Sequence, residues 1–227
     1  MRTIDTEHEL WQTTDPRIAA IEDKNDFLFG DSKIICALFN LASKLEPRVL
    51  EFDTLVGDDA SGRLPTLFLR KVLNNLRIAR GGDNIQTLFI AGGSNFLPGV
   101  GSSGIESLIR RQSELGSILF STEYIREGRS AAILTEFLQK KGMDVTIAAV
   151  TVSYELDTHQ VNYPLYYGEI DDGPFLVFYI RHEYCGVEKI GPGPYHIVRA
   201  SDYNPRKVRE ARMTINNLAD GYLRLRS

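Results

Sequence analysis

Ser117-Ile118-Leu119-Phe120-Ser121-Thr122-Glu123-Tyr124-Ile125-Arg126-Glu127-Gly128-Arg129-Ser130 reads as a short apolar strand, Ser117–Ser121, followed by a loop, Thr122–Arg129. A helix follows over about 130–141, with Ile133/Phe137 and Leu134/Leu138 at the spacing of one buried face. Gly128 permits a tight turn and a close approach of backbone to a ligand. Ser130 can cap the helix or donate to an anion. The first amides of a helix lack acceptors of their own and sit at the positive end of its dipole, so this passage predicts an anion site. Glu123, at the strand tip, is placed to accept hydrogen bonds from vicinal hydroxyls.

Outward from this stretch, strand and helix alternate. Leu50–Val56 reads as a strand that enters the loop Gly57–Arg63, and Phe68, Val72 and Leu76 then mark a helix over about 64–80. Ile85–Ala91 is a second strand, followed by a glycine- and serine-rich loop, Gly92–Gly104, and a short helix over about 105–115. Asp144–Val152 is almost continuously apolar, as a strand covered on both faces requires. A helical stripe from Ile34 to Leu45 precedes the set, giving a helix over about 32–46. Together these predict an α/β fold with a doubly wound, mainly parallel sheet.

Beyond Val152 the texture changes. Tyr163–Ile170 and Phe175–Arg181 read as a hairpin joined by Asp171-Asp172-Gly173-Pro174, and Asn204–Leu225 as a helix with Asn204 as N-cap and Pro205 at its first position. One domain over 1–227 results, with a core over about 32–152 and a β-rich cap plus terminal helix over about 153–227. The helices 32–46 and 204–225 are expected either to cover that core or to form the interface of a homodimer.

Composition narrows the function. With 43% hydrophobic and 25% charged residues the chain has the balance of a packed globular protein. A net charge of −4 supplies no basic field, so nucleic acid is not an expected partner. Cys36 and Cys185 are too few for a disulfide framework or a zinc site and read as free thiols of a reducing compartment. No apolar run approaches the roughly 20 residues that span a bilayer, and Met1–Glu9 carries acids where a signal peptide is apolar. The expected location is the cytoplasm, away from membranes. His8, His159, His182 and His196 show no paired spacing for a metal or a triad, and the run Arg206–Arg212 reads as a solvated helix face.

The stretch that opened this section resembles the phosphoribosyl-diphosphate (PRPP) motif of the type I phosphoribosyltransferases: four apolar residues, two acids, a short spacer, Thr-Gly-x-Thr/Ser, then a helix. Thr122 and Glu123 stand at the two acid positions, and Glu127-Gly128-Arg129-Ser130 at the cradle. The resemblance implies that Thr122 and Glu123 serve catalysis by holding the ribose hydroxyls. It also implies that Arg126, Glu127, Gly128, Arg129 and Ser130 surround the 5′-phosphate. Upstream, Asp58-Asp59-Ala60-Ser61-Gly62-Arg63 is similar to the superfamily's pyrophosphate loop, its Ser-Gly-Arg ending being that of the amidophosphoribosyltransferase branch. There Asp58 and Asp59 either cap the following helix or meet magnesium carried by PRPP. Gly92–Gly104 stands where the family has a loop that closes over the site.

The implied activity is transfer of ribose 5-phosphate from magnesium-bound PRPP to a nitrogenous base or amine, with release of pyrophosphate; the base would sit against the C-terminal hood. Three departures bear on this. Thr122 adds no charge where the family has an acid, Glu127 replaces a threonine, and Gly92–Gly104 contains no lysine or arginine. They keep open an alternative in which the same fold binds PRPP or a nucleotide without turnover and regulates a partner. A third reading is a hydrolase releasing ribose 5-phosphate.

Overall fold

The computed structural model describes residues 11–21, 32–58, 62–90, 103–158, 160–171, 182–190 and 196–226. A helical turn over 16–21 leads the described chain. Then come α1 (Ser32–Leu45), a 3-10 segment (Glu46–Glu51), β1 (Thr54–Asp58), α2 (Arg63–Ala79) and β2 (Gln86–Ile90). Next are α3 (Ser103–Arg110), α4 (Gln112–Leu115), β3 (Ile118–Ile125), α5 (Arg129–Lys140), β4 (Val145–Ser153) and β5 (Leu165–Asp171). The described chain closes with α6 (His182–Cys185), β6 (Val187–Ile190), β7 (His196–Arg199) and α7 (Pro205–Arg226).

Five strands form one sheet in the order β2-β1-β3-β4-β5, and every neighbouring pair is parallel. The central strands are apolar on both faces because helices cover both. Leu55, Leu119, Ala148 and Val150 point into one core layer with Leu38 of α1, Phe68 of α2 and Ile215 of α7. Val56, Phe120, Ile147 and Ala149 point into the other with Leu108 of α3 and Leu134 of α5. The period-2 alternation of the pleat thus divides each strand between two cores. All nine residues of β4 are buried, which accounts for its unbroken apolar sequence.

Twelve of the fourteen residues of α1 are buried, so it lies inside the molecule rather than on its rim. Trp11 closes over it: its Nε1 donates to Ser43 Oγ at 3.2 Å and its backbone amide to Asn40 Oδ1 at 2.7 Å. Trp11, Phe39, Phe68 and Tyr222 form an aromatic cluster with ring centroids 5.2–6.5 Å apart. Tyr222 of α7 sits fully buried in it, so the terminal helix covers the core, the first of the two alternatives for that segment. Asn204 caps α7, accepting from the amides of Arg206 at 3.0 Å and Lys207 at 3.3 Å.

Several sequence expectations are corrected. Residues 50 and 51 belong to the 3-10 segment that Pro47 opens, and β1 starts only at Thr54. The helix expected over 105–115 is two short ones, α3 and α4. The strand expected at Ser117–Ser121 runs on to Ile125, because its far end still pairs with β4 through Tyr124↔Thr151 and Ile125↔Val152. The largest change concerns Tyr163–Ile170. That segment is not half of a hood hairpin but the fifth strand of the main sheet, parallel to β4 through Ile147↔Leu165 and Thr151↔Glu169. The core sheet therefore extends to Asp171. The partner expected at Phe175–Arg181 lies outside the described residues, and the antiparallel strands present beyond the sheet are β6 and β7, paired from Val187↔Arg199 to Ile190↔His196.

Candidate functional site

In an open α/β sheet, the crevice for ligands opens where chain connections leave adjacent strands toward opposite faces, at the carboxyl ends of those strands. Here that point lies between β1 and β3. From β1 the chain passes into α2 on one face, and from β3 it passes into α5 on the other. The two loops at the crevice are therefore 58–63 and 126–128, the two that carry suggestive chemistry in the sequence. They also touch. The Gly62 amide donates to the Asp58 carbonyl at 2.7 Å, and a Cβ at Gly62 would lie 2.6 Å from the Ser121 carbonyl oxygen. Only glycine allows α2 to start flush against the backbone of β3.

At the tip of β3 a cavity of about 370 Å³ opens, walled by Thr122 and Tyr124 of the strand, the Arg126–Gly128 turn and Arg129–Ala131 of α5. Phe120, Ile125, Leu134 and Ile147 form its apolar floor. Gly128 is the N-cap of α5 in the left-handed region, φ +75°, and no side chain caps the helix. The first intrahelical bond runs from the Ala132 amide to the Gly128 carbonyl at 2.8 Å. The amides of Arg129, Ser130 and Ala131 thus precede the helical ladder at the cavity wall, where an anion is their natural acceptor. Ser130, which the sequence offered as a cap, sits two positions inside the cap and leaves its hydroxyl to the cavity wall.

Side-chain charge at the rim cancels in pairs. Arg126 grips Glu155 with two bonds of 2.8 and 3.1 Å, and Arg129 Nε lies 3.1 Å from Glu127 Oε2. The hydrogen bond to Glu155 raises the Arg126 pKa, and the same bond lowers that of Glu155. Glu127 is therefore countered by Arg129. That pair is open to water, with Arg129 85% exposed, so it is weak and an incoming anion can capture the guanidinium.

Six of the seven motif residues line this one cavity: Thr122, Arg126, Glu127, Gly128, Arg129 and Ser130. Glu123 does not. It lies between Thr122 and Tyr124, and the pleat turns it to the opposite face, where it is 2% exposed. Asp58 is fully buried at the end of β1. Arg63 opens α2 with its guanidinium 5.3 Å from the centre of the Phe89 ring. Asp59, Ala60, Ser61 and most of Gly92–Gly104 lie outside the described residues. Among the described residues no three His, Cys, Asp or Glu side chains gather in the manner of a resident metal centre.

Sequence reasoning missed the back wall of the turn. A Cβ at Gly128 would lie 2.7 Å from Leu156 Cδ1 and 2.9 Å from the Tyr163 hydroxyl. That hydroxyl is buried with no hydrogen-bond partner among the described residues, and burial pushes its pKa up to about 12. Both contacts join residues nearly thirty or more positions apart, so no local pattern announces them. Removing an orphaned buried hydroxyl relieves its desolvation, so Tyr163→Phe should leave stability unchanged or raise it by up to ~1 kcal/mol. Between pH 10 and 12 the unfolded tyrosine ionises while the folded one keeps its proton. The folded state then binds more protons, and stability falls as pH rises through that window. Tyr163→Phe should flatten this fall in thermal melts across pH 9–12; an unchanged slope would contradict the assignment.

No family model and no curated protein matches this chain. Solved structures do resemble it in part. A purine phosphoribosyltransferase from Pyrococcus horikoshii Ot3 aligns with a TM-score of 0.41 at 15% identity, over 62% of this chain and 83% of that one. A hypothetical protein from Neisseria gonorrhoeae with bound ppGpp aligns at 0.42 and 17%, over 68% and 92%. Hypoxanthine-guanine phosphoribosyltransferase from Schistosoma mansoni in complex with IMP aligns at 0.40 and 14%, over 68% and 66%.

Proposed function

We propose that this protein binds magnesium-bound PRPP in the β1–β3 crevice and transfers its ribose 5-phosphate to a nitrogen nucleophile. The observation that carries the reading is that the two strands flanking the switch point each lead into a glycine-bearing helix start, one lining the cavity beside Thr122 and the other following Asp58 against the backbone of β3. One suits a terminal phosphate and the other a diphosphate. In this reading the 5′-phosphate rests on the amides of Arg129–Ala131 and the Ser130 hydroxyl, and Thr122 Oγ1 bonds a ribose hydroxyl. The diphosphate lies along Asp58–Arg63, with magnesium entering as part of the substrate.

The bond from ribose C1 to the diphosphate oxygen breaks, and its electrons leave with pyrophosphate. A nitrogen lone pair on the incoming base closes the new C1–N bond, and the proton it sheds passes to the diphosphate or to water. Catalysis then consists of alignment and stabilisation of the departing charge, and no residue of the chain acts as nucleophile.

The test is to incubate the protein with magnesium, PRPP and a panel of nucleobases and amines, following pyrophosphate release, with calorimetry for binding. Neither binding nor release would sink the proposal. Ser130→Ala should weaken PRPP about tenfold, the size of one hydrogen bond to a charged group. Because Gly128 rather than Ser130 caps α5, its melting temperature should stay within about 2 °C. A second reading, a PRPP- or nucleotide-binding regulator without turnover, is favoured by one finding: the β3 tip presents Thr122 to the cavity while its acid, Glu123, faces away. Binding without pyrophosphate release across the whole panel selects it.

A further inference from the structure

On the other face of the sheet, α2 and α7 pack side by side, and their solvent-facing edges enclose a second cavity of about 340 Å³. Leu67 contributes its apolar part. Arg70, Lys71 and Arg212 bring three cations, and Asn74, Asn75 and Asn216 share the lining with them. No carboxylate lines it. This is unusual in a chain with 30 acids against 26 lysines and arginines, where arginines on or just beyond these same two helices find acids elsewhere. Arg80 and Arg226 meet Glu46, and Arg206 meets Glu210.

The cations of the groove are not alike. Lys71 Nζ is fixed, 2.7 Å from Asp220 Oδ2 and donating to the Asn216 carbonyl at 3.2 Å. Arg70 and Arg212 are both exposed, and neither has an ion pair among the described residues. Two unengaged guanidinium forks facing one concavity offer paired, planar recognition of phosphoryl oxygens. A groove wall of low polarisability concentrates their field. The carboxamides add donors and acceptors for hydroxyl or ring-nitrogen groups, and the volume accommodates a ligand no larger than a nucleotide.

We propose that this α2–α7 groove is a second anion site, separate from the β3 cavity, that takes a small polyphosphorylated molecule. Its place suggests what occupancy does. Arg70 stands seven residues after Arg63, roughly 10 Å along the rod of α2, and α2 begins at the loop that faces the crevice. A ligand bridging α2 to α7 would brace the helix whose first turn meets the site, which is the position of an effector rather than of a substrate.

Inorganic tripolyphosphate is the probe, titrated into the full chain while the side-chain amide resonances of Asn74 and Asn216 are followed by NMR. Those resonances should shift with saturation, and Arg70→Ala/Arg212→Ala should weaken the tripolyphosphate affinity about tenfold or more. The same double variant should keep its melting temperature, since both side chains are exposed, and should keep its PRPP affinity within about twofold. Ser130→Ala should show the reverse pattern, so a failure here and a failure of the PRPP reading are separable. Shifts confined to the first turn of α5, or unchanged affinity in the double variant, would overturn the proposal. So would tighter binding of a uridylate 12-mer or an acidic peptide, which would make the groove a macromolecular surface.

Discussion

Gly168→Ala should be the most destabilising glycine-to-alanine change among the described residues. A Cβ at that position would fall on the carbonyl oxygen of Ala37, with the Ala37 carbonyl carbon and the Val150 carbonyl oxygen each 2.6 Å away. All three are backbone atoms, one set in α1 and the other in β4, so no rotamer change relieves the overlap. Gly168 is where the almost wholly buried α1 rests on β5, and separating the two would open the first core layer. Overpacking commonly costs 1–3 kcal/mol, and with rigid atoms on both sides about 3 kcal/mol or more is expected. For a chain of this length that is a fall of roughly 6–12 °C in melting temperature. A fall under about 2 °C in a calorimetric scan would mean that α1 and β5 stand farther apart than described. PRPP affinity below the transition should be little changed, because β5 lies at the far edge of the sheet from the crevice.

Gly128→Ala should invert that pattern, losing affinity along with stability. Alanine in the left-handed region costs about 1–2 kcal/mol, and its methyl would press on Leu156 Cδ1 and the Tyr163 hydroxyl. The Leu156 end can yield, whereas the Tyr163 ring is held by the core. Relief by rotating the turn would swing the first amides of α5 away from the cavity. Loss of one bond to a phosphate, worth about 1.5–3 kcal/mol, predicts PRPP binding weaker by roughly tenfold to somewhat over a hundredfold. The melting temperature should drop by roughly 5–10 °C. Two companions separate the causes. Gly128→Asn tolerates the left-handed backbone better but keeps the clash, and Gly128→Ala/Tyr163→Phe keeps the strain but softens the clash. Additive losses in the second pair would show that the Tyr163 contact carries no energy.

The parallel core was legible because its signals are local. Continuous apolar strands, helix stripes such as Phe68–Val72–Leu76 and the glycine ahead of Ser130 each announce themselves within a dozen residues. The switch-point loops came with them, since strand order in such sheets follows few rules. What escaped was set by pairing across distance. Thr122–Ile125 reads as loop because an acid and the glycine turn follow the apolar run closely, yet Thr, Tyr and Ile suit strands and the neighbouring β4 supplies partners that keep the segment extended. That extension decides which way Glu123 faces, so the sequence motif named the residue without giving its side of the sheet. Tyr163–Ile170 alternates like a hairpin arm, and only its pairing beside Ile147 makes it a parallel edge strand. Tyr163 behind Gly128 had no local trace at all.

The contact between Gly62 and the Ser121 carbonyl has a consequence for ligand choice. Because the start of α2 lies against the backbone of β3 at Ser121, the spacing between that helix start and the strand is fixed by main-chain geometry. Side-chain changes around the rim cannot stretch or shorten it. The crevice is therefore a ruler. In the PRPP reading proposed above, it would select molecules by the separation of their charged ends, before the ring between or beside those ends is inspected at all.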